Sequence, residues 1–188
     1  MAAATDFRTT IKAFRAFADN RPDGEKWELI GGRIVETHSS THRHQIIIGR
    51  LLFELETSKR ATSAPWQCFM GIGSRVASDH YNEIVPDAMV MLRTNTVIDW
   101  TYDVLAAFEV TAPETFDNDM VHKRAFYARI QRLTHYVVLA QDRREATMFS
   151  RSNDFSPLSL KSAGAKIEIE PLGIAIPLAD IYRDVPLG

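Results

Sequence analysis

Two apolar runs, each bordered by one acidic residue, most constrain how this chain can fold. Asp87 directly precedes Ala88–Leu92, and Glu109 directly follows Val104–Phe108. Short apolar runs of this kind are typical of buried β-strands. An isolated carboxylate is costly to bury, so acids at such positions are usually paired or bound to a metal ion. Because Mg²⁺ prefers one or two carboxylates together with water and phosphate oxygens, the pattern predicts a metal site that handles a phosphate ester.

A helical segment after the second run carries Lys123, 14 positions beyond Glu109. Its ammonium group could place a water molecule or stabilise negative charge that develops on a phosphate. The residues alone leave a simpler interpretation open for each position. An acid at the end of a strand often caps the next element, and Lys123 could lie on a solvated helix face.

The rest of the chain predicts one α/β domain over residues 1–188. Phe7, Ile11, Phe14 and Phe17 have helical spacing, and two adjacent glycines divide residues 27–36 into a β-hairpin. The predicted elements are a helix near 7–17, the hairpin 27–36, a helix over 42–59, strands over 66–76, 83–92 and 104–110, a helix over 118–132, strands over 136–140 and 146–150, and a short helix over 179–182. This order indicates a mixed sheet with helices packed on it.

Composition limits the environment and the partners of the chain. The formal net charge is −2, so any contact with nucleic acid requires a local basic patch. Cys68 is the single cysteine, which excludes an internal disulfide and fits a reducing compartment. No apolar run is long enough to span a membrane, and the first residues lack the apolar core of a signal peptide. We therefore expect a cytoplasmic protein with no membrane partner.

Several motifs together resemble the Uma2 family in their order and spacing. They are the stretch WELIGGRIVE at 27–36, His44-Gln45 at the start of a helix, Val85-Pro86-Asp87, the stretch FEVTAP at 108–113, the segment 119–123, and Tyr127-Ala128. The family, long catalogued as a domain of unknown function, belongs to the restriction-endonuclease-like PD-(D/E)XK superfamily, and its members are expected to be endonucleases. The likeness covers nearly the whole chain. It implies an α/β fold with a restriction-endonuclease-like mixed β-sheet core flanked by helices, preceded by an N-terminal helix and a β-hairpin.

The resemblance also implies which residues form the catalytic centre. Asp87 and Glu109 would be the two acids that bind the metal ion, Mg²⁺ or Mn²⁺. In the common superfamily pattern the catalytic lysine lies two residues after the second acid, where this chain has Thr111. The Uma2-like arrangement takes the lysine from the next helix instead, four residues after an aspartate. Asp119 and Lys123 fit that spacing, so Lys123 is the implied catalytic lysine.

Three further residues are expected to support this centre. Glu28 from the hairpin or His44 from the following helix could complete it, and Tyr127 follows Lys123 on the same helix. The sequence departs from the family pattern at Thr111-Ala112, where an aliphatic residue and a serine are usual. Residues 135–138 (HYVV) also replace a more typical Glu-Tyr-Trp pattern. None of these changes removes a proposed ligand, but the first could alter the geometry beside the second acid.

Three kinds of function are compatible with these patterns. The first is a Mg²⁺-dependent endonuclease, or a related phosphodiesterase, that acts on nucleic acid, with DNA the expected substrate. The second is a non-catalytic nucleic-acid-binding or interaction module on the same fold, because a fold does not determine a function. The third is a globular domain whose charges are satisfied at its surface. Convergence of two acids and a lysine would favour the enzyme, since a binding module has no need for it.

Two features bear on partners. A set of basic residues could form a local phosphate-binding surface under either of the first two functions: Lys59, Arg60, Lys123, Arg124, Arg129, Arg132, Arg143 and Arg144. The apolar helix and the strands of the C-terminal tail suggest a homodimer.

Overall fold

A six-stranded sheet lies at the centre of the fold. The structure is a computed structural model that describes residues 8–22, 25–37, 41–113 and 115–187. The strands are β1 (Lys26–Ile30), β2 (Arg33–Thr37), β3 (Trp66–Phe69), β4 (Gly73–Ser74), β5 (Ala88–Leu92), β6 (Trp100–Thr101), β7 (Val104–Thr111), β8 (His135–Ala140), β9 (Ala146–Ser150), β10 (Pro157–Leu160), β11 (Lys166–Ile169) and β12 (Ile174–Pro177). The helices are α1 (Ile11–Ala18), α2 (His42–Thr62), a π-helical segment (Asn118–Lys123) that continues into α3 (Arg124–Tyr127), and α4 (Leu178–Ile181), with 3₁₀ turns at Arg151–Asn153 and Glu170–Leu172. None of the described helices is both long enough and apolar enough to cross a membrane.

The central sheet is mixed, with strand order β10-β9-β8-β7-β5-β3. β7 and β8 run parallel, and the other neighbouring pairs of this sheet are antiparallel. Three smaller sheets pair β1 with β2, β4 with β6, and β11 with β12. The predicted fold class, with its helix, hairpin and helix-flanked mixed sheet, is confirmed.

Side-chain alternation along the strands divides the core into two layers. On one face of the sheet, Val90 and Phe108 pack in a layer with buried side chains of α2, α4 and the β11–β12 hairpin. On the other face, Met89 and Ala107 pack in a layer with Phe126 and Tyr127. The second layer therefore brings the helix that carries Lys123 onto the sheet.

A pair of backbone hydrogen bonds joins the β1–β2 hairpin to the segment that precedes β5. Its turn uses Gly31 and Gly32, whose φ angles of 59° and 81° are readily adopted by glycine. Leu29 and Glu83 then exchange N–H···O bonds of 2.9 and 2.8 Å. This pairing holds the hairpin beside the segment that leads into β5, which places Glu28 next to Val85.

Two strands are shorter than predicted. Of the strands expected over 66–76 and 83–92, only β3 and β5 pair within the central sheet. After β3 the chain leaves the sheet at Gly71, whose φ is 69°. Pro86 has no N–H to donate to a ladder, and the residues before it pair with Leu29 and Ser74 instead of with the central sheet.

The helix predicted over 118–132 ends early and has a different geometry. It is π-helical over Asn118–Lys123, and α3 ends at Tyr127. The Arg151 guanidinium donates to the carbonyl oxygens of Ala128 at 3.3 Å and Ile130 at 2.6 Å. These bonds satisfy carbonyl groups that a longer helix would satisfy itself, so the chain can turn there. The other predicted elements lie within a few residues of those observed; Phe7, used to predict the first helix, is outside the described residues.

Candidate active site

Asp87 and Glu109 lie side by side where two neighbouring inner strands of the central sheet, β5 and β7, begin and end. Ala88 on β5 pairs with Phe108 on β7, and the same antiparallel register, continued by one residue, puts Asp87 opposite Glu109. The backbone N–H of Val110 donates to Asp87 Oδ2 at 2.8 Å. Glu109 is buried, whereas 26% of the Asp87 side chain is exposed. The two acids therefore lie side by side, and solvent reaches them from the Asp87 side.

The Lys123 ammonium group lies among three buried carboxylates. Nζ is 3.1 Å from Glu109 Oε1 and 3.2 Å from Glu28 Oε2. Asp119 Oδ1, one helical turn earlier, is 3.6 Å away. Only 7% of the Lys123 side chain is exposed, so this residue does not lie on a solvated helix face. The ammonium group instead joins the hairpin, the sheet and its own helix.

The π-helical segment aims Lys123 into this cluster. π-Helices are rare and occur mostly as single turns, frequently at functional sites. The segment is tied to its surroundings through Asp119, whose N–H donates to Thr115 O at 3.0 Å and whose carbonyl oxygen accepts from the Tyr136 hydroxyl at 3.0 Å. Tyr136 is fully buried on β8. The sheet thus holds the start of the segment, and Asp119 and Lys123 enter the cluster together.

Tyr127 supports Glu109 from the following turn. Its hydroxyl donates to Glu109 Oε1 at 3.1 Å, the same oxygen that Lys123 contacts. Burial raises the pKa of Tyr127 well above 10.0, so the hydroxyl keeps its proton and remains a donor. The two bonds fix the Glu109 carboxylate through one oxygen atom.

His44 supports Asp87 in a comparable way. It lies in the first turn of α2, where its backbone N–H donates to the Thr41 side chain at 3.2 Å. Its Nε2 atom is 3.0 Å from Asp87 Oδ2. An ionised carboxylate can only accept, so Nε2 carries the hydrogen of this bond. Together with the Val110 N–H, His44 orients the Asp87 carboxylate through Oδ2.

Glu28 is the hairpin residue that reaches the cluster. Its Oε1 atom accepts from the Val85 N–H at 2.9 Å, while Oε2 contacts Lys123. Glu28 is 2% exposed, whereas Glu36, the other glutamate of the hairpin, is exposed. The two residues occupy similar positions in the sequence pattern, and the contact with the segment before β5 is what separates them.

The excess of carboxylates over cations changes the affinity of these groups for protons. Burial raises the pKa of Glu109 well above 4.5, which Lys123 only partly offsets, and burial also raises the pKa of Glu28. Burial would raise the pKa of Asp87 too, but bonds from His44 and a backbone N–H together lower it. Although burial disfavours the charged form of Lys123, the surrounding carboxylates raise its pKa well above 10.5. The ammonium group therefore remains charged, and Glu109 and Glu28 hold a proton more tightly than exposed glutamates do.

The oxygens left free by these bonds fit a hard divalent cation. No described residue donates a hydrogen bond to Asp87 Oδ1 or to Glu109 Oε2. Within the described ranges, no three His, Cys, Asp or Glu side chains are close enough to hold a metal ion by themselves. Mg²⁺ commonly binds through one or two carboxylates and completes its coordination with water and phosphate oxygens, and Mn²⁺ also suits carboxylate and water ligands. Asp87 and Glu109 match that requirement.

All six residues singled out from the sequence lie in this one region: Glu28, His44, Asp87, Glu109, Lys123 and Tyr127. Thr111, at the usual lysine position, instead bonds to Thr115 at 3.2 Å and has no contact with the cluster's ammonium group. Asp119 was noted only as part of the lysine motif, yet it is buried in the cluster. Its spacing of four residues from Lys123 on a helix was the signal that could have assigned it to the site.

The predicted basic surface is largely neutralised. Lys123 was wrongly placed on it, because this side chain is buried in the cluster. Acidic partners pair with four of the others: Lys59 with Glu56, Arg129 with Asp79, Arg132 with Asp103, and Arg143 with Asp142 and Glu145. Arg124 lies over the Phe149 ring, and Arg60 and Arg144 form no ion pair with a described residue. These last three are the members that remain available for phosphate groups.

Comparison with known proteins identifies the fold and the family of the chain. Among curated proteins, none matches the chain. Its fold is similar to the crystal structure of a "putative nuclease belonging to DUF820" from Anabaena variabilis ATCC 29413, with a TM-score of 0.72 and 11% identity over 93% of this chain and 97% of that one. Residues 11–179 match the Uma2 family, described as "putative restriction endonuclease". Because the match spans most of its length, the chain belongs to the Uma2 family of restriction-endonuclease-like nucleases.

Proposed function

We propose that the protein is a Mg²⁺- or Mn²⁺-dependent endonuclease that hydrolyses phosphodiester bonds in DNA. The observation that carries this proposal is the charge of the cluster. Three buried carboxylates, from Glu28, Glu109 and Asp119, contact the ammonium group of Lys123. A fourth carboxylate, that of Asp87, lies opposite Glu109. Buried charge of one sign is costly unless it is compensated, and two free carboxylate oxygens at the accessible edge offer a cation a place to bind.

Hydrogen bonds orient the carboxylates of Asp87 and Glu109 as ligands for a metal ion. A divalent ion held by them would polarise a phosphoryl oxygen and acidify a bound water molecule. His44 and the Val110 N–H hold Asp87 through Oδ2, and Lys123 and Tyr127 hold Glu109 through Oε1. The second oxygen of each carboxylate, Asp87 Oδ1 and Glu109 Oε2, accepts no hydrogen bond from a described residue. Both carboxylates are therefore oriented before a metal ion binds.

Lys123 contributes a fixed positive charge. Its raised pKa makes it unsuitable as a general base, because it holds its proton at neutral pH. A buried ammonium group beside the reacting phosphate would stabilise negative charge that develops in the transition state. Its three carboxylate contacts hold it in place, so little reorganisation is needed during the reaction.

Plasmid nicking tests the proposal. We expect the purified protein to convert supercoiled DNA to nicked or linear forms with Mg²⁺ or Mn²⁺ and to lose this activity in EDTA. Asp87→Asn should be inactive, whereas Glu36→Gln, a matched change at an exposed glutamate, should retain full activity. If the wild-type protein binds DNA but cleaves neither DNA nor RNA with either metal, the binding-module function replaces the enzyme.

A further inference from the structure

The Lys123 ammonium group occupies the position where a second metal ion would find its ligands. Enzymes that use two ions in phosphodiester chemistry hold them about 3.5–4 Å apart, so both draw on neighbouring acids. Beyond the Asp87–Glu109 pair, the neighbouring acids of the described chain are Glu28 and Asp119. Both contact Lys123 Nζ, at 3.2 and 3.6 Å.

The charge of the cluster also fits one ion. The four carboxylates and the Lys123 ammonium group, counted without His44, carry three net negative charges when all five are ionised. One divalent ion would reduce that excess to a single negative charge, and a second would reverse its sign. A buried cluster gains little from a second ion that brings it to a net positive charge.

We infer that Lys123 serves as a permanent internal cation in place of a second metal ion, and that the protein binds one divalent ion per chain. Glu28 and Asp119 are then positioning residues, because they hold the ammonium group on the far side of Glu109 without binding the metal. Glu28 is fixed in turn by the Val85 N–H, and Asp119 by the anchored start of the π-helical segment. This inference rests on the proposed function, since it takes Asp87 and Glu109 as the ligands of the first ion.

The stoichiometry of Mn²⁺ binding tests it without any substrate. Titration of the metal-free protein, followed by calorimetry and by the electron paramagnetic resonance signal of free Mn²⁺, should show one ion per chain. Two ions in the wild-type protein would overturn the inference while leaving the metal-dependent function intact. Binding of no ion would contradict the proposed function itself and remove the basis of the inference.

Variants at Lys123 separate its charge from its bulk. Lys123→Met keeps most of the length of the side chain but removes the charge, so Glu28, Glu109 and Asp119 should accept a second Mn²⁺. The double variant Lys123→Met/Asp119→Asn lacks one of those acids and should return to one ion. A folded Lys123→Met protein that binds only one ion would overturn the inference. If Lys123→Met does not fold, the stoichiometry of Mn²⁺ binding to Lys123→Arg tests the inference instead. This variant keeps the positive charge and should bind one ion. Two ions would contradict the role given to Lys123.

Discussion

Asp87 lies opposite Glu109 across the antiparallel β5–β7 pair, and the Val110 N–H bonds to Asp87 within that pair. The relationship results from strand register, since a shift of one residue would turn one of the acids to the other face of the sheet. The β-ladder therefore sets the separation of the two acids before any ligand arrives. The helices supply the groups that orient them.

Removing the charge of Asp87 should abolish stabilisation by metal. A ligand that binds only the folded state stabilises it by about 2.7 kcal/mol at 100 times its Kd, which is a rise in Tm of roughly 5–10 °C for a chain of this size. We expect this rise for the wild-type protein with Mg²⁺ or Mn²⁺ and none for Asp87→Asn, measured by thermal unfolding. The metal-free Tm of the variant should fall slightly near neutral pH, because the bonds that lower the pKa of Asp87 stabilise its ionised form in the folded state.

Glu36→Gln is the matched control for that measurement, because Glu36 is exposed on β2. The Tm of this variant should rise with Mg²⁺ or Mn²⁺ as much as the Tm of the wild-type protein. A full rise in Asp87→Asn would exclude Asp87 as a ligand.

The bond from His44 to Asp87 should contribute to metal affinity. Removing a group that orients a metal ligand typically weakens binding or activity by about 10–100-fold. We expect a loss of this size for His44→Ala, measured as Kd for Mn²⁺. His44→Gln retains an N–H donor and should recover part of the affinity. Equal affinities of wild type and His44→Ala would show that Asp87 is held well enough by the Val110 N–H alone.

The raised pKa of Glu109 predicts an unusual pH dependence of stability. Because the folded state holds this proton more tightly than the unfolded state, its contribution to stability is present at low pH and is lost as the pH rises from about 4.5 through the raised pKa. Metal-free Glu109→Gln has no proton to lose. The Tm of this variant relative to wild type should therefore increase with pH across that window. A difference in Tm that stays constant with pH would contradict the raised pKa.

The same proton should compete with metal. Since Glu109 must ionise to bind a cation, Mn²⁺ affinity should increase with pH in that window, by up to about tenfold per pH unit for each proton released. Asp87, whose pKa is lowered, adds no such dependence there. Calorimetry in two buffers of different ionisation enthalpy measures the protons released on binding. Release of no proton at pH 5 to 6 would mean that Glu109 is already ionised in the free protein.

Sequence patterns predicted β7 and β8 well because these strands are apolar on both faces. β7 and β8 are buried on both sides and have continuous apolar sequences. The bounds predicted for both strands lie within one residue of those observed. The segment between β3 and β5 was predicted poorly, because its path depends on pairing with the distant hairpin at Leu29. Pairing with a distant part of the chain produces no periodic pattern in the local sequence.

For the site, too, local patterns in the sequence predicted some residues, whereas contacts between distant residues decided the others. The acids at the ends of apolar runs could be found from local pattern, and Lys123 from the spacing that the resemblance to the Uma2 family implies. That Glu28 is buried and Glu36 exposed could not be read from the hairpin, since both alternate with apolar residues. The π-helical segment likewise has no local signature, and its anchor to Tyr136 joins residues far apart in the chain.

Loss of the Lys123 charge should slow cleavage without weakening binding of the first metal ion. Removing one well-placed electrostatic group typically costs about 10²–10³ in rate, and we expect this loss in kcat for Lys123→Met at a Mg²⁺ concentration that just saturates one ion. Mg²⁺ affinity should be retained or improved, because a competing positive charge 3.1 Å from Glu109 Oε1 is gone.

DNA binding without metal should fall only modestly in Lys123→Met, since a buried lysine contributes little to contacts with phosphate groups at the surface. Lys166→Met, a change at an exposed lysine on β11, is the matched control and should leave the nicking rate unchanged. Plasmid nicking rates and filter binding of the same DNA, measured on both variants, separate the two effects. Undiminished nicking by Lys123→Met would remove this lysine from the reaction and leave it a purely structural role among its three carboxylates.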